Sequence, residues 1–321
     1  MNSPRAAVIV NPVKLPLDEL VDVLAELEAE HGLAPSLVLP TTVDEDGDAQ
    51  ARDALAEGVD RVVVAGGDGT VRLAAGELAG TGVPLGIVPA GTGNLLARNL
   101  GIDPEAPLRD HLHGALAGGT REIDLARAEI ERPDGGHERV PFAVIAGIGV
   151  DAGMIEHTDE ELKARIGWLA YLEGIARTLI GGPTFRARFR LGRGRTFGTR
   201  AAALLVGHCG ELQGGMVLLP DAEIDDGRLD VLVMRPSGPT GWLELLSGVI
   251  AGSISKRSSL PFARRAHGDN RRLSYAQTET AVLRVDSSPE AFEVDGDIVG
   301  DIVAARFTVE PGALLVRAPG A

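Results

Sequence analysis

The stretch of sequence that decides the fold is VVAGGDGT, residues 63–70, in which an apolar run passes directly into a glycine-rich turn. β-branched valines favour a strand, and glycines leave backbone N–H groups open to a phosphate chain. The alternative is a plain strand–helix turn. Four turn-forming residues in succession favour the phosphate-binding loop over that alternative. The glycines of this loop are Gly66, Gly67 and Gly69.

Two polar residues of this loop make the hypothesis more specific. A helix is predicted to begin near Thr70, so that its N-terminal dipole would face the phosphate. The Thr70 hydroxyl would then either donate to phosphate or cap the helix. A carboxylate at Asp68 would repel phosphate unless a metal ion bridges them, and Mg²⁺ is the usual partner of a nucleotide. The loop therefore predicts a nucleotide site that contains a metal ion.

A second loop of the same kind is PAGTGN, residues 89–94. Gly91 opens the backbone, while Thr92 and Asn94 supply hydrogen-bonding groups. By itself this loop could be a glycine-rich helix start capped by Asn94. Two such loops after successive strands of one sheet are more specific, and they predict two walls of one phosphate-binding cleft.

The pattern of elements predicts an α/β domain at the N-terminus, because short apolar strands alternate with amphipathic helices. Such βαβ units form a parallel sheet, and ligands bind at the carboxyl ends of its strands. The predicted strands are 6–10, 36–39, 61–65 and 85–88, and the predicted helices are 17–31, 48–57, 70–78 and 94–100.

After about residue 122 the pattern becomes rich in strands, which predicts a mostly antiparallel sandwich. Two helices interrupt it, at 160–180 and 241–254. The predicted strands are 123–130, 142–148, 185–191, 201–207, 228–234, 280–285, 292–294, 304–309 and 314–316.

The formal net charge of −15 argues against general nucleic-acid binding, which needs an excess of Lys and Arg. The single cysteine, Cys209, excludes an internal disulfide and fits a reducing cytoplasm. No uncharged stretch approaches the ~20 residues of a membrane span. Basic residues are concentrated at 186–200 and 256–272. They are either solvated faces or a surface for peripheral contact with an anionic membrane, at its inner face.

Taken together, the motifs resemble the diacylglycerol kinase catalytic family. This family includes soluble bacterial lipid kinases and sphingosine kinases, and is distantly related to NAD kinases. The resemblance covers most of the chain, and the order and spacing of the motifs make it specific. The motifs are Asn11-Pro12, GGDGT at 66–70, PAGTGN at 89–94, REIDLARAEI at 121–130, LKARIGWLAYLEGI at 162–175, LLPDAEIDDGRLDV at 218–231 and FEVDGDIVG at 292–300.

The resemblance implies a nucleotide-binding domain at 1–122, a β-sandwich lipid-substrate domain at 123–301 and a final segment, 302–321, that returns towards the first domain. It also implies ATP and Mg²⁺ as cofactors. The residues expected to contact ATP are Asn11, Pro12, Thr42, Gly66, Gly67, Asp68, Gly69, Thr70, Gly91, Thr92 and Asn94.

The resemblance further implies that Asp68 and Asp124 organise Mg²⁺ and the phosphates. A structural Mg²⁺ is expected at the hairpin around Asp226, held by its carboxylate and by the backbone carbonyls of Glu223 and Arg228. The alternative for this Asp-Gly segment is a simple hairpin turn, which Asp-Gly favours in any case.

Asp297 occupies the position at which the family usually has a glutamate, the expected general base for the lipid hydroxyl. Aspartate is one methylene shorter, so the cleft must close differently or a water must relay the proton. A role as a turn residue is the alternative.

The sequence thus predicts an ATP-dependent lipid kinase that phosphorylates a lipid alcohol such as diacylglycerol or a sphingoid base. An NAD kinase-like enzyme and a nucleotide- or lipid-binding protein without turnover are the alternatives. The motifs do not select one lipid, and they leave a homodimer open.

Overall fold

The computed structural model describes residues 3–42, 45–149, 184–212, 216–235 and 273–319. The chain forms two compact units, one comprising Met1–Leu125 with Glu310–Ala321 and the other Ala126–Val309. The predicted helices at 160–180 and 241–254, the motif at 162–175 and the basic cluster at 256–272 lie outside the described residues.

The first unit is a parallel sheet with helices. Its strands lie in the order β2-β1-β3-β4-β16, and each neighbouring pair is parallel. The elements are β1 (Arg5–Val10), α1 (Leu17–His31), β2 (Ala34–Pro40), α2 (Asp48–Ala56), β3 (Arg61–Gly66), α3 (Asp68–Leu78), β4 (Leu85–Pro89), α4 (Leu95–Asn99), α5 (Leu108–Ala117), the beginning of β5 (Thr120–Glu131) and the end of β16 (Ala304–Arg317).

The burial of the first unit's central strands is typical of a parallel sheet that is covered on both faces. Both faces of β1 and β3 are covered, so all five residues from Ala6 to Val10 are fully buried. Helix α1 packs against them through Leu20, Leu24 and Leu27, which recur at helical spacing. The helix ends where Gly32 adopts a positive φ of 63°, a conformation that glycine tolerates without strain.

The second unit contains antiparallel strands in two sheets. In one, β16 pairs with β13, β13 with β8, and β8 with β9, while β5 pairs with β6. The other has the order β12-β11-β10-β7-β14-β15. The elements are the rest of β5 and β16 with β6 (His137–Phe142), β7 (Ile145–Ile148), β8 (Phe185–Leu191), β9 (Thr196–Ala201), β10 (Ala203–Gly207), β11 (Leu229–Met234), β12 (Leu273–Thr278), β13 (Thr280–Val285), β14 (Glu290–Val294) and β15 (Asp297–Ile302).

One hydrophobic core joins the two sheets of the second unit. Three fully buried aromatic rings contribute to it from different strands. The ring centroid of Phe307 lies 6.2 Å from that of Phe142 and 6.0 Å from that of Phe292. Both separations are typical of favourable aromatic pairs, so these rings connect β16 with β6 and β14.

The predicted fold class, an α/β domain followed by a mostly antiparallel sandwich, is confirmed. Sequence reasoning did not predict α5, β9, β12 or β15, and it divided into two strands, 304–309 and 314–316, what is one continuous strand, β16. It also placed one strand at 142–148, which is wrong, because the structure has separate strands β6 and β7 with a break between them. At that break the carboxylate of Asp295 accepts hydrogen bonds from the backbone N–H groups of Ala143, Val144 and Ile145, which replace ladder hydrogen bonds.

Within the described residues, no helix has the length and apolar character that crossing a bilayer requires.

Candidate functional site

The carboxyl ends of four parallel strands meet at one edge of the sheet in the first unit. Val10 at the end of β1 is opposite Pro40 of β2 and Ala65 of β3, and Gly66 is opposite Pro89 of β4. The loops that follow these strands therefore lie side by side. They contain most of the residues predicted to contact ATP, and ligands bind at this edge in open α/β sheets.

The first glycine loop leads directly into α3, which begins two residues earlier than predicted. The helix begins at Asp68, after Gly67 in extended conformation with φ −89° and ψ −176°. The first N–H groups of an α-helix have no partner within the helix. The helix N-terminus therefore lies at the glycine loop itself, where it favours a bound anion.

The predicted helix-capping role of Thr70 is wrong, because α3 has no side-chain cap. Thr70 is 3% exposed, and its hydroxyl donates a hydrogen bond to Asp46 Oδ1 at 2.8 Å. A Cβ at Gly66 would lie only 2.9 Å from the Cβ of Thr70. Gly66 is thus needed for packing under the loop.

Sequence reasoning missed the loop of Asp46 and Gly47, which supports the glycine loop from the side of β2. Gly47 has a φ of +118°, and a Cβ there would lie 3.0 Å from the carbonyl oxygen of Thr70. The signal in the sequence is the Asp-Gly pair immediately before α2, which resembles an ordinary helix start.

The two glycine loops touch each other through their backbones. A Cβ at Gly91 would lie 2.7 Å from Cα of Gly67, so only glycine allows this approach. The N–H of Ala90 donates to the carbonyl of Gly66 at 3.0 Å, which fixes the register of the two loops. Sequence reasoning attributed these glycines to phosphate access alone, whereas the structure also requires them for contact between the loops.

Asp68 lies at the junction of the two loops. Its Oδ1 accepts a hydrogen bond from the backbone N–H of Leu95 at 2.5 Å, at the beginning of α4. A Cβ at Gly93 would lie 2.6 Å from its Oδ2, so the second loop passes directly against this carboxylate. Asp68 thereby connects the N-terminus of α3 with that of α4.

Asn94 closes the second loop on itself. It has a positive φ of 50°, which asparagine tolerates better than most residues. Its Oδ1 accepts the N–H of Gly91 at 2.9 Å, and its Nδ2 donates to the carbonyl of Gly91 at 2.8 Å. Arg98, one turn later, donates from Nε to the carbonyl of Gly93. Thr92 is exposed at the tip of the loop.

Asn11 organises the turn after β1. Its N–H donates to Ala65, its side chain accepts from Val13, and its carbonyl accepts from two later N–H groups. Pro12, the next residue, is exposed. Thr42 is also exposed, and its hydroxyl accepts the N–H of Glu45 at 3.1 Å.

Asp124 is 2% exposed and lies in β5. Its Oδ1 accepts the N–H of Gly312 at 2.9 Å, so this carboxylate joins β5 to the segment of β16 that returns to the first unit. Sequence reasoning missed this structural role.

The hairpin predicted to hold a structural metal ion has the geometry of a tight turn. Asp226 Oδ1 accepts the backbone N–H of Arg228 at 2.9 Å, and Gly227 has a φ of 72°. Asp226 and Glu223 are both exposed. The turn interpretation and the metal site are compatible, since an Asp in such a turn still has a second carboxylate oxygen.

In the second unit, Asp297 is exposed and begins β15. It follows a two-residue turn in which Asp295 and Gly296 have positive φ values of 50° and 96°, as in hairpin turns of type I′. Sequence reasoning missed Asp295, which is 4% exposed and accepts the three N–H groups at the β6–β7 break. The Asp-Gly pair signalled the turn but not this buried acceptor.

Comparison with known proteins assigns each part of the chain to a family. Residues 5–128 match the diacylglycerol kinase catalytic domain, and residues 144–318 match the YegS C-terminal NAD kinase beta sandwich-like domain. Among solved structures, a diacylglycerol kinase from Bacillus anthracis has a TM-score of 0.71 at 21% identity, covering 100% of this chain and 98% of that one. A yeast NADH kinase shares the fold more distantly, with a TM-score of 0.53 at 10% identity over 99% of this chain and 84% of that one.

Curated relatives agree with this assignment. A diacylglycerol kinase from Mycobacterium tuberculosis is 30% identical over 83% of this chain and 79% of its own length. A protein of Pseudomonas aeruginosa named as a YegS-like lipid kinase is 31% identical over 93% of this chain and 90% of its own length. An uncharacterized protein of Synechocystis is 28% identical over 76% of this chain. The match spans about half, 52%, of that relative's own length. The chain therefore belongs to the diacylglycerol kinase and YegS-like lipid kinase family.

Proposed function

We propose that the protein transfers the γ-phosphoryl group of ATP to the hydroxyl group of a lipid alcohol, such as diacylglycerol or a sphingoid base. The observation that carries this proposal is the junction at Asp68. There, two glycine loops and the N-terminus of α3 meet at the carboxyl edge of the parallel sheet. Membership of a lipid kinase family supports it.

The chain holds the phosphates mainly through its backbone. The first-turn N–H groups of α3 would receive phosphate oxygens, because a helix N-terminus supplies donors and a favourable dipole. Asn11, Thr42 and Thr92 border the same edge with polar atoms. Most of the rate enhancement would come from positioning and charge neutralisation, as is general for phosphoryl transfer.

ATP bound with Mg²⁺ would supply the transferred group and neutralise its charge. The donor set fits this ion, since Asp68 provides carboxylate oxygens, the ligand type that Mg²⁺ prefers. Asp124 fits a positioning role better than a ligand role, because it is buried and bonded to Gly312. It would hold β5 and β16 in place within the first unit.

Asp297 would be the general base that accepts the proton of the lipid hydroxyl. Its exposure and its position directly after a tight turn support this role, because the carboxylate is accessible and its backbone is held by the hairpin. An aspartate must still come within about 3 Å of the proton that it removes, directly or through one water.

A structural Mg²⁺ would be held in the second unit by Asp226 and by the carbonyls of Glu223 and Arg228. These are oxygen ligands, as Mg²⁺ requires. Thermal unfolding with and without Mg²⁺ tests this directly. Mg²⁺ should raise the melting temperature of the wild type but not of Asp226→Asn, whereas equal shifts would rule out the site.

The test of the proposed function is transfer of labelled phosphate from ATP to a panel of lipids in mixed micelles. Asp68→Asn keeps an acceptor for Leu95 but removes the charge, so activity should fall by at least about a hundredfold while folding persists. Asp22→Asn, an exposed residue of α1, removes the same charge elsewhere and should be fully active. Full activity of Asp68→Asn would reject the mechanism.

Two further measurements separate the alternatives. Incubation with ATP and NAD should yield no NADP, because the yeast NADH kinase shares only the fold at 10% identity. Asp297→Ala should retain ATP binding in calorimetry but lose transfer. A wild-type protein that binds ATP and phosphorylates no hydroxyl would instead be a binding protein without turnover.

A further inference from the structure

The second unit contains an open cavity of about 910 Å³ that is lined by four exposed arginines. Arg190 comes from β8, Arg193 from the turn after it, Arg228 from the segment before β11 and Arg306 from β16. All residues described as lining the cavity belong to the second unit, whereas the glycine loops belong to the first.

Strand register explains why two of these arginines line the same cavity. Val282 of β13 is directly opposite Arg190 on one side and Arg306 on the other. The three side chains therefore form one row across three strands, on the same face of the sheet. The valine at the centre of this row also lines the cavity.

Neighbouring arginines on the same face are neutralised, but those of the cavity are not. Arg188 forms a bidentate ion pair with Asp286, with a shortest distance of 2.8 Å, and Arg284 pairs with Glu131 at 3.2 Å. In the described part of the chain no ion pair involves Arg190, Arg193, Arg228 or Arg306. Glu279 lines the same cavity, so the arginines there still outnumber the acids.

Uncompensated arginines in one cavity indicate a ligand because like charges repel each other and favour an anion between them. This concentration stands out in a chain whose net charge is −15. The planar guanidinium group donates two parallel hydrogen bonds that match the oxygens of phosphate. Gln277 and Thr278 also line the cavity, but the Gln277 Nε2 donates to Asp221 and Asp230 and the Thr278 hydroxyl bonds to Thr280, so the arginines are the main donors that a ligand would meet.

We propose that this cavity binds the phosphate group of a phosphorylated ligand, either a soluble phosphate ester or the headgroup of an anionic phospholipid. The inference goes beyond the proposed function and does not rest on it, because it concerns only residues of the second unit. It also makes the predicted contact between the basic segment 186–200 and membranes more specific, since Arg188 is already paired with Asp286.

The test compares two double variants that change the net charge equally. Arg190→Gln with Arg306→Gln removes two guanidinium groups from the cavity. Arg188→Gln with Arg284→Gln removes two from the same face outside it. Calorimetry with glycerol 3-phosphate measures the soluble source, and co-sedimentation with vesicles of phosphatidylcholine, with and without phosphatidylglycerol, measures the lipid source.

The cavity variant should bind at least one probe about tenfold or more weakly than the wild type, because each lost hydrogen bond to a charged group has about that effect. The matched variant should change binding by less than about threefold, because its two guanidinium groups do not line the cavity and are already paired with Asp286 and Glu131. If the cavity variant binds only glycerol 3-phosphate more weakly, the ligand is a soluble phosphate ester. If it binds only the vesicles more weakly, the ligand is a lipid headgroup. Either result supports the cavity as a phosphate-binding site.

Two results would overturn the inference. One is that the wild type binds neither probe, and the other is that both double variants weaken binding equally, which would indicate a general charge effect. Arg193→Gln provides a second variant outside the strand ladders, so a folding defect of the double variant leaves the inference testable. Its binding should also weaken, and unchanged binding in Arg193→Gln and in a folded cavity variant would reject the site.

Discussion

The same dipeptide, Asp-Gly, follows a buried strand in both units but has a different conformation and different hydrogen bonds in each. Asp68-Gly69 begins helix α3, and neither residue has a positive φ. Asp295-Gly296 forms a hairpin turn, and both residues have a positive φ. Asp68 accepts the N–H of Leu95 across the two glycine loops, whereas buried Asp295 accepts the N–H groups of Ala143, Val144 and Ile145 at the β6–β7 break.

The difference shows that strand pairing, and not the dipeptide, decides the role of each aspartate. Gly66 before the first pair lies in a parallel ladder, which needs a long crossover and continues into a helix. Val294 before the second pair is directly opposite Asp297 in an antiparallel ladder, which a two-residue turn can close. The first aspartate therefore lies at the carboxyl edge of the parallel sheet, and the second is buried.

The largest effect should come from Asp295→Ala, which leaves the three N–H groups of residues 143–145 without their acceptor. We expect the free energy of unfolding to fall by about 3 kcal/mol or more, measured by urea denaturation. Asp295→Asn keeps one acceptor oxygen, so its free energy of unfolding should lie between those of the wild type and Asp295→Ala. Asp297→Ala, in the same hairpin but exposed, should change stability by less than about 0.5 kcal/mol. Equal effects at 295 and 297 would contradict the comparison.

Gly91→Ala tests the backbone contact between the two glycine loops. The added Cβ would lie 2.7 Å from Cα of Gly67, so the loops must separate. We expect a loss of about 2 kcal/mol in stability, as for overpacked sites, together with weaker ATP binding in calorimetry. The matched control is Gly114→Ala in α5, where nothing lies within 4 Å of the new Cβ. This control should gain up to about 1 kcal/mol.

Thr70→Val should have a smaller effect, because it removes only the hydrogen bond to Asp46. We expect a loss of about 1 kcal/mol in thermal unfolding, the usual value for one hydrogen bond. Thr70→Ser keeps the hydroxyl and should retain most of the stability. If the valine variant were as stable as the wild type, Asp46 would not support the first loop.

The smallest effect concerns the far end of the β14–β15 hairpin. Burial, and then the charge of Asp301, raise the pKa of Glu290 above its ordinary value of 4.5. The carboxyl group of Glu290 therefore binds its proton more tightly in the folded state than in the unfolded state. The stability that this protonation contributes is fully present below pH 4.5 and is lost as the pH rises through the raised pKa.

Glu290→Gln should therefore increase stability at neutral pH by less than about 0.5 kcal/mol, because a partly exposed carboxylate is screened by solvent. The gain should disappear near pH 3, where Glu290 is protonated in both states. Thermal unfolding of both proteins at the two pH values measures this. A gain at pH 3 equal to that at pH 7 would exclude the charge of Glu290 as its cause.

The fold could be predicted from the sequence to a large extent because its signals are local. Apolar runs such as 61–65 and helical spacing such as that of Leu20, Leu24 and Leu27 depend on neighbours within a few residues. The prediction missed helix α5 and wrongly placed a single strand at 142–148, for opposite reasons. The first has only a short periodic pattern, and the second is broken by a side chain more than a hundred residues away.

The sequence by itself determined the fold class, the family motifs and the two glycine loops. The glycines of a loop and the succession of strands and helices along the chain are both visible in consecutive residues. Only the tertiary structure decided that Gly67 and Gly91 touch, that Thr70 bonds to Asp46 and that Asp295 is the buried acceptor beside Asp297. It alone placed Arg190 and Arg306 on either side of Val282. These contacts join distant segments, and their energies depend on burial and register, which no local pattern specifies.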